Sequence, residues 1–416
     1  MPSQIQWTNA LSTRASLEAA VTEVVEKVKQ SLSAPPDLAI VFISSAYSSD
    51  YPRLMPLLLD QFSLPVVIGC GGGGIVGIND EGKAIEVEEN TALSLSVASL
   101  PGVEIEPFHI NAEELPDLDS SPEAWTKLIA VPPEKQPDFI LLSDPFSSKI
   151  NELLEGLDFA YPGSSKVGGL SSGSNGLNTA LFYYSEKHPG RMLYREGTVG
   201  IALSGNIVLE TIVAQGCRPI GRPYRVNQCD RNIIIELADH RDEVGSPLDL
   251  LREMIQTLSE EDRELAQSSL FIGMARDEFK IELKQGDFLI RNLLGVDPKY
   301  GAIAVGDRVR PGQRIQFHLR DAQTSAEDLE MLLTNYQKEK GNSPSAYGAL
   351  MFSCLGRGRG LYDKPNFDSS LFRRYLKNVP LGGFFCNGEI GPVGGSTFLH
   401  GYTSVFGIFR QPTTNG

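Results

Sequence analysis

Hydrophobic residues recur along the chain with two periods, one typical of helices and one typical of strands. Leu17, Val21 and Val28 belong to an apolar stripe with three- and four-residue steps, which predicts an amphipathic helix over "SLEAAVTEVVEKVKQSL". Runs rich in β-branched residues predict strands at 37–44, 91–99, 138–143, 179–184 and 198–216. Inside the last run, Gly205 and Asn206 separate two such stretches and predict a hairpin turn.

Helices and strands also alternate in the second half of the chain. Ser246, Pro247 and Asp249 have the spacing of a helix N-terminus, with a capping serine and a proline in the first turn. Another helix is predicted to begin after Thr324 or Ser325, and short strands separated by glycine turns lie between the two helices. Both halves therefore favour an α/β fold class with α+β mixed sheets.

The length of the chain predicts more than one core. A chain of 416 residues exceeds the size at which one hydrophobic core usually stops growing. We expect an N-terminal helix over 1–36 that packs on the first domain, a first domain over 37–229 and a second domain over 230–412. In this interpretation the two domains pack together with glycine-rich strand ends facing a shared cleft.

One arrangement occurs three times along the sequence. It consists of an apolar strand that ends in serine or cysteine, a short helix, and a second strand that runs into a glycine cluster. The copies begin at "LAIVFISS", "DFILLSDPFSS" and "AYGALMFSCLG", and their second strands carry Gly69, Gly168 and Gly382. The repetition predicts duplicated supersecondary units whose glycines lie near strand ends.

Two interpretations of these glycines remain open. Glycine lets a partner touch the backbone, and successive free N–H groups can bind a carboxylate or phosphate oxygen. Alternatively, the glycines only permit tight packing or bulges. Gly69, Gly71 and Gly74 also spell a dinucleotide fingerprint, but "IVGINDEGKAIEVEEN" follows and predicts a hairpin around "NDEG" instead of the required helix.

The charge balance and the cysteines narrow the class of protein. The formal net charge is -15, from 52 acidic and 37 basic residues, so phosphate backbones and anionic membrane surfaces are unfavourable partners. No apolar run approaches the roughly 20 residues that a membrane helix needs, and the N-terminus lacks the pattern of a secretion signal. The five scattered cysteines form no Cys-x-x-Cys motif. We expect a soluble cytoplasmic protein that binds neither nucleic acid nor membrane.

Several segments resemble the FIST family, the F-box and intracellular signal transduction proteins. The similarity is carried by "VVIGC", "KVGGLSSG", "VGIALSG", "AQGCRPIGRPYRV", "IELKQGDFLIRNLLGVDPKYGAIAVGDRVRPGQRIQFHLRDAQTSAEDL" and "GGFFCNGEIGPVGGSTFLHGYTSVFGIF", which together extend over about residues 38–410. The resemblance implies a FIST N-terminal and a FIST C-terminal domain in a bacterial-type, stand-alone sensory protein. It further implies a small ligand, amino-acid-like or another anionic metabolite, and a signalling partner in trans such as a histidine kinase or a cyclic-dinucleotide enzyme. Because some members are nitric-oxide sensors, noncovalent haem is the alternative cofactor; otherwise none is expected.

The candidate ligand-binding residues come from the glycine clusters and their neighbours: Cys70, Gly71, Gly72, Gly168, Gly169, Arg276, Cys386, Asn387, Glu389 and His400. Glu389 on a glycine-flanked loop can receive an amino group, while backbone N–H groups receive a carboxylate. The alternative for Glu389 is a solvated loop residue, and for His400 a hydrogen-bonded core histidine. No enzymatic reaction is expected, although Cys386, His400 and Glu389 leave a thiol enzyme as a second alternative.

The remaining candidates are arginines and one histidine. Arg276 and Arg291 end β-rich segments, where each can either clamp a carboxylate or pair with a nearby acid such as Asp277 or Asp287. The "GRGRG" segment at 356–360 predicts either a flexible basic loop that attracts anions or a simple basic turn. Besides His400, His109 is the other candidate axial ligand for haem. The sequence therefore predicts a sensor with its ligand between two domains.

Overall fold

The computed structural model describes residues 4–147, 149–173, 179–283, 285–341 and 346–412. The chain forms two compact units. Unit 1 combines Met1–Val213 with Leu332–Gly416, and unit 2 is the continuous stretch Ala214–Met331. The predicted sequence domains, 37–229 and 230–412, divide the chain at a different place from these compact units. The domain ranges therefore remain a prediction.

The strands of the described residues are β1 (Gln6–Ser12), β2 (Leu38–Ser44), β3 (Val66–Gly72), β4 (Gly74–Ile78), β5 (Ala84–Glu88), β6 (Leu93–Ser99), β7 (Val103–Ile110), β8 (Asp138–Ser143), β9 (Lys166–Leu170), β10 (Leu181–Ser185), β11 (Leu193–Tyr194), β12 (Thr198–Gly205), β13 (Val208–Ala214), β14 (Arg218–Asp230), β15 (Ile233–Ala238), β16 (Val244–Gly245), β17 (Leu270–Ala275), β18 (Phe288–Asp297), β19 (Ala302–Val305), β20 (Arg314–Leu319), β21 (Gly348–Cys354), β22 (Leu381–Cys386), β23 (Glu389–Val393), β24 (Ser396–His400) and β25 (Ser404–Arg410).

The helices of the same residues are α1 (Leu17–Ser31), α2 (Tyr51–Gln61), α3 (Pro122–Ile129), α4 (Ile150–Ala160), α5 (Pro247–Gln256), α6 (Glu260–Ala266), α7 (Ala322–Lys340), α8 (Arg359–Tyr362) and α9 (Phe367–Tyr375), with short 3₁₀ helices at Ser45–Asp50, Ala112–Glu114 and Pro133–Lys135. The mixture of helices with parallel and antiparallel strands confirms the predicted α/β class with mixed sheets.

Local capping explains where the predicted helices begin. Ser16 caps α1 by accepting the Ala19 N–H at 3.2 Å, and Ser246 caps α5 by accepting the Asp249 N–H at 3.2 Å. Both predicted starts are confirmed. Helix α7 begins at Ala322, earlier than predicted. The reason is the side chain of Asp321, which accepts the Thr324 N–H at 2.6 Å and which the prediction did not use.

Unit 1 contains three six-stranded sheets, and each is built around one parallel pair. The pairs are β2 with β3, β8 with β9, and β21 with β22, joined through α2, α4 and α9 respectively. In each sheet an antiparallel strand covers the other side of the first parallel strand: β6, β12 and β25. The three predicted sequence copies are therefore three structural repeats.

One glycine in each repeat is required by the parallel neighbour. A Cβ atom on Gly69 would lie 2.1 Å from the carbonyl oxygen of Val41. Gly168 and Gly383 occupy equivalent positions, with Cβ distances of 1.8 and 2.0 Å to the carbonyl oxygens of Leu141 and Met351. The prediction for the third repeat named Gly382, so the equivalent residue is one position later.

The repeats exchange their next strands in a cycle. Strand β4, which follows β3, pairs with β22 of the third sheet. Strand β23, which follows β22, pairs with β9 of the second sheet, and β10, which follows β9, pairs with β3 of the first. Each sheet of unit 1 is thus completed by chain that comes from a different repeat.

The turn predictions have mixed outcomes. The "NDEG" hairpin is confirmed, because β4 pairs with β5 and the Asn79 N–H donates to Lys83 O at 2.9 Å. The hairpin at Gly205 and Asn206 is wrong. Strand β12 pairs with β7 and β8, whereas β13 lies in a different sheet beside β25. The Asn206 N–H donates to Gly102 O instead of closing a β12–β13 turn.

Unit 2 is organised around one seven-stranded sheet. Its strand order is β14-β20-β17-β18-β19-β15-β16, with an additional pairing of β14 with β15. Its core includes Ile272, Ile303, Ile315 and Phe317 from the sheet and Leu251 from α5. This core draws its buried residues from unit 2 alone, which gives the unit an apolar interior of its own. No helix among the described residues has both the length and the apolar character that crossing a membrane requires.

Candidate functional site

The glycine-rich strand ends meet at one place in unit 1, which we call the crossing region: Gly71–Gly73, Leu170–Ser172 and Phe385–Asn387. Ser171 Oγ donates to Gly71 O at 2.9 Å, and the Gly73 N–H donates to Ser172 Oγ at 2.9 Å. The Asn387 N–H donates to Leu170 O at 3.0 Å, and Ser172 Oγ donates to Phe385 O. Segments far apart in sequence are therefore hydrogen-bonded to one another here.

The crossing region is packed. Cys70, Gly71, Gly72, Gly168, Gly169 and Cys386 are all buried. A Cβ atom on Gly169 would lie 2.4 Å from Cys386 Sγ, and one on Gly73 would lie 2.6 Å from the side chain of Leu355. These glycines bring polypeptide segments into direct contact, and the bonded N–H groups serve the fold.

Glu389 and His400 are direct cross-strand neighbours on β23 and β24. Glu389 is fully buried, and its Oε2 accepts the Thr403 N–H at 3.1 Å. Burial raises the pKa of the Glu389 carboxyl well above its usual range. The buried His400 ring places Nε2 3.0 Å from Gly391 O. Asn387, by contrast, is exposed.

The thiol of Cys386 is not in an activating environment. Burial raises the pKa of Cys386, and the nearby carboxyl of Glu389 raises it further. None of the five cysteines, all of which are described, forms a disulfide.

The arginine candidates separate into exposed and buried residues. Arg276 belongs to unit 2, is exposed, and places Nη1 3.5 Å from Gly286 O. Arg291 pairs with an acid, Asp307, at 2.7 Å.

The flexible-loop interpretation of "GRGRG" is wrong for Arg357. This side chain is fully buried, and its Nε and Nη2 donate to the two carboxylate oxygens of Asp368 at 2.7 and 3.1 Å. Tyr362 also bonds to Asp368, at 2.9 Å. A bidentate ion pair of this kind fixes local structure and leaves the guanidinium unavailable to a solvent anion.

The three repeats end their first strands in the same way. We call the residue at the end of each first strand the strand-end residue. Its N–H donates to the carbonyl of the residue that directly precedes the antiparallel neighbouring strand: Ser44 to Ala92 at 2.9 Å, Asp144 to Gly197 at 2.9 Å and Cys354 to Thr403 at 3.0 Å. In two repeats the strand-end side chain also accepts the N–H of that same preceding residue: Ser44 from Ala92 at 3.0 Å, and Asp144 from Gly197 at 2.7 Å. In the third repeat Glu389 takes over this role from the exchanged strand β23.

A cavity of about 340 Å³ lies at the end of β8, in the second repeat; we call it the strand-end pocket. Its lining consists of Asn111, Ala112, Glu113, Asp144, Phe146, Ser147, Thr179, Arg195, Glu196 and Gly197. The carboxyl ends of parallel strands are the usual ligand position in α/β sheets, and this volume is at the lower end of ordinary ligand pockets.

The residue three positions after the strand-end residue differs among the repeats. In the first repeat it is Tyr47, which is buried and donates its hydroxyl to Arg14 O. In the third it is the buried Arg357, whereas in the second it is Ser147. Large side chains thus occupy this position in two repeats, and the serine of the second repeat lines the pocket.

The charges of the strand-end pocket have both signs. Arg195 is half-buried and donates from Nη1 to Thr179 O at 2.7 Å. Glu113 and Glu196 are exposed in the lining, and Asp144 is held by the N–H groups of Phe146 and Gly197 at 2.8 and 2.7 Å. The pocket can therefore receive an anionic group at Arg195 and an amino group at the glutamates.

Arg195, Ser147 and Asp144 were not among the sequence-based candidates. The available signal was the second copy, "DFILLSDPFSS", whose serine-rich strand end differs from the bulkier residues that follow the first and third strands. Arg195 lies on the segment between β11 and β12, far along the chain, and only the fold brings it to this strand end.

Metal binding and haem ligation are two further chemistries that depend on which residues lie together. Among the described residues there is no group of three or more His, Cys, Asp or Glu side chains that could hold a metal ion. His109 places Nε2 3.1 Å from Glu196 O and stacks on Tyr194 with ring centroids 3.7 Å apart.

Comparison with known proteins agrees with the resemblance read from the sequence. A model of the FIST N domain matches residues 37–240, and a model of the FIST C domain matches residues 247–392. An uncharacterized protein of Mycobacterium tuberculosis is 33% identical over 401 residues, which is 96% of this chain and 98% of that protein. Human F-box only protein 22 is 52% identical over 42 residues, which is 10% of each chain. A solved structure of cyanuric acid hydrolase from A. caulinodans covers 97% of this chain and 99% of its own at 9% identity, but its TM-score of 0.31 is too low to infer a shared fold.

Proposed function

The chain belongs to the FIST family, a family of sensory and signal-transduction domains, and on that premise we propose that it binds a small amino-acid-like ligand in the strand-end pocket. The observation that carries this proposal is the pocket itself. Arg195 stands in its lining with Glu113 and Glu196, so the lining carries charges of both signs. A zwitterion with a carboxylate and an amino group has the matching charges.

Comparison among the repeats supports the same pocket. Most residues of the crossing region are buried, and several of its backbone groups already bond to one another, so ligand binding there would have to break the fold's own hydrogen bonds. At the strand end of the second repeat, Ser147 stands where Tyr47 and Arg357 stand in the others. A ligand can enter there without displacing a large side chain.

Signal transfer follows from ligand-dependent stabilisation of one arrangement of the pocket loops. A ligand shifts a conformational equilibrium only as far as it binds one state better than the other. The loop before β12, which carries Arg195 and Glu196, and the loop after β8, which carries Phe146, both line the pocket, and we propose that they respond to the ligand. We propose that a partner in trans, such as a histidine kinase or a cyclic-dinucleotide enzyme, reads that response.

The test is a thermal-shift screen of the full chain against single amino acids, followed by calorimetric titration of those that raise the melting temperature. Ser147→Tyr places in the pocket the side chain that the first repeat has at Tyr47, so we expect it to abolish binding while the protein remains folded. Arg195→Gln removes the cation, and we expect affinity to fall about 10- to 100-fold.

The matched control is Arg191→Gln. Arg191 is an exposed arginine near Arg195 in sequence, outside the pocket lining, and its cation lies over the ring of Tyr194. It should leave affinity unchanged. Binding of no amino acid, or undiminished binding by Ser147→Tyr, would contradict the proposal.

The thiol-enzyme and haem alternatives lack a comparable observation. Burial raises the pKa of the Cys386 thiol and so disfavours the thiolate that a thiol enzyme needs. Neither alternative is therefore proposed further.

A further inference from the structure

Unit 2 exposes two large apolar side chains on one loop. Phe279 is 94% exposed and Ile281 is 99% exposed. They lie between β17 and β18, whose ladder ends at Ala275 opposite Phe288, so the loop projects beyond the paired strands. Neighbouring apolar side chains held fully in water are typical of interaction sites.

The sequence of this loop is complementary to itself. Residues 279–283 read "FKIEL", with apolar and charged positions alternating about Ile281. Within the chain the segment forms a turn and bends; if two copies extend it as antiparallel strands with Ile281 at the centre, Lys280 of each copy faces Glu282 of the other. Phe279 then faces Leu283, so every position meets a residue of matching character.

From this self-complementarity we infer that the segment Phe279–Leu283 is a homodimer contact that binds the same segment of a second copy of this chain about a two-fold axis. A two-fold contact uses one surface patch twice, which is what a palindromic charge pattern provides. Lys280 bonds to Asp287 at 2.6 Å within the chain, at a half-exposed position where it can exchange that partner for a glutamate of the second copy.

The contact is small. It involves five residues on each side, and interfaces of such a size support weak, concentration-dependent association. The dimer should therefore be absent from dilute protein and populated in concentrated protein, and the experiment has to cover both ranges.

Sedimentation velocity of the full chain from about 10 µM to about 1 mM tests the inference. The average sedimentation coefficient should rise with concentration for the wild type and stay at the monomer value for Ile281→Asp. Leu118→Asp is the matched control, because Leu118 is a half-exposed apolar residue of unit 1 outside the segment. It should dimerise as the wild type does.

Charge reversal identifies the contact itself. Lys280→Glu and Glu282→Lys each place like charges opposite one another, and each should weaken dimerisation by about tenfold. The double variant Lys280→Glu/Glu282→Lys restores opposite charges and should return to within about threefold of the wild type. A chain that stays monomeric at all concentrations overturns the inference. So does a dimer that ignores Ile281→Asp, or a double variant as weak as the single ones.

Discussion

Single residues in unit 1 are fixed by backbone atoms that approach them closely, and Gly168 is the strongest case. A Cβ atom at this position would lie 1.8 Å from Leu141 O, and the atom it meets belongs to the backbone of a buried strand. We expect Gly168→Ala to lower the free energy of unfolding by about 3 kcal/mol or more, because neither strand can move without breaking its ladder.

Urea denaturation of full-length protein measures this effect. Gly190→Ala is the control, since no atom lies within 4 Å of a Cβ atom there; its change should remain within about 0.5 kcal/mol. Equal stability of the two variants would show that the close approach of β8 and β9 is not as described.

Glu86 makes stability depend on pH. Burial, with the nearby Asp368 carboxyl, raises the pKa of Glu86 from 4.5 to about 8 in the folded protein. The folded state therefore favours the protonated acid, whose contribution is fully present below about pH 4.5 and is lost as the pH rises to about 8. We expect the free energy of unfolding to fall across this window and the fall to be smaller in Glu86→Gln.

Urea titrations at about pH 5 and about pH 8 provide the measurement. Glu81→Gln is the control, because the hydrogen bond from Lys83 lowers the pKa of the exposed Glu81 and places its titration below the window. If Glu86→Gln retains the full pH dependence, Glu86 is not the group responsible.

Residue roles were predicted well where they depend on backbone geometry and poorly where they depend on distant partners. Gly69 and Gly168 could be recognised from the repeated strand pattern alone. Arg357 could not, because its burial depends on Asp368 and on Tyr402 O, which arrive from other segments. The role of Arg195 could not be predicted for the same reason.

At the level of strands and helices, the crossing region should be the most protected part of unit 1. The N–H groups of Gly71, Leu170 and Asn387 donate to Ala180 O, Gly388 O and Leu170 O. Because each bond links segments far apart in sequence, it breaks only when the sheets separate. We expect these amides to exchange at the rate of global unfolding.

Hydrogen exchange read by mass spectrometry can check this expectation, with the exposed turn of the β4–β5 hairpin as the fast reference. Rapid exchange in peptides that contain Gly71 or Asn387 would contradict it. The same comparison with and without an amino acid would report whether the pocket loops respond.

Local sequence predicted the elements but not all of their partners. The caps Ser16 and Ser246 act within a single turn, so their helices could be read directly. Strands β12 and β13 are adjacent in sequence yet belong to different sheets, and no local signal distinguishes them from a hairpin. The cyclic exchange of strands depends entirely on pairing between distant segments. The hydrophobic pattern of a single strand does not specify that pairing, so the exchange could not be predicted.

On the scale of the complete chain, the two units differ in how they are assembled from sequence. Unit 2 is continuous and has its own core, so we expect the fragment Ala214–Met331 to unfold cooperatively when it is produced alone. The fragment 332–416 should not fold, because β22 requires β4 from the first repeat.

Circular dichroism during thermal unfolding distinguishes the two fragments. A sigmoidal transition for Ala214–Met331 and none for 332–416 is the expected result. The assignment of unit 2 as an independent folding unit would fail if its fragment lacked a transition.

The exchange of strands among the repeats also determines when each strand can pair during biosynthesis. Strand β4 emerges from the ribosome well before its partner Leu381–Cys386 is translated. Until then the nascent protein displays an unpaired apolar hairpin, which is a natural target for chaperones. A premature stop before Leu381 would leave this hairpin without its partner permanently, so quality control would meet such a product as an incomplete fold.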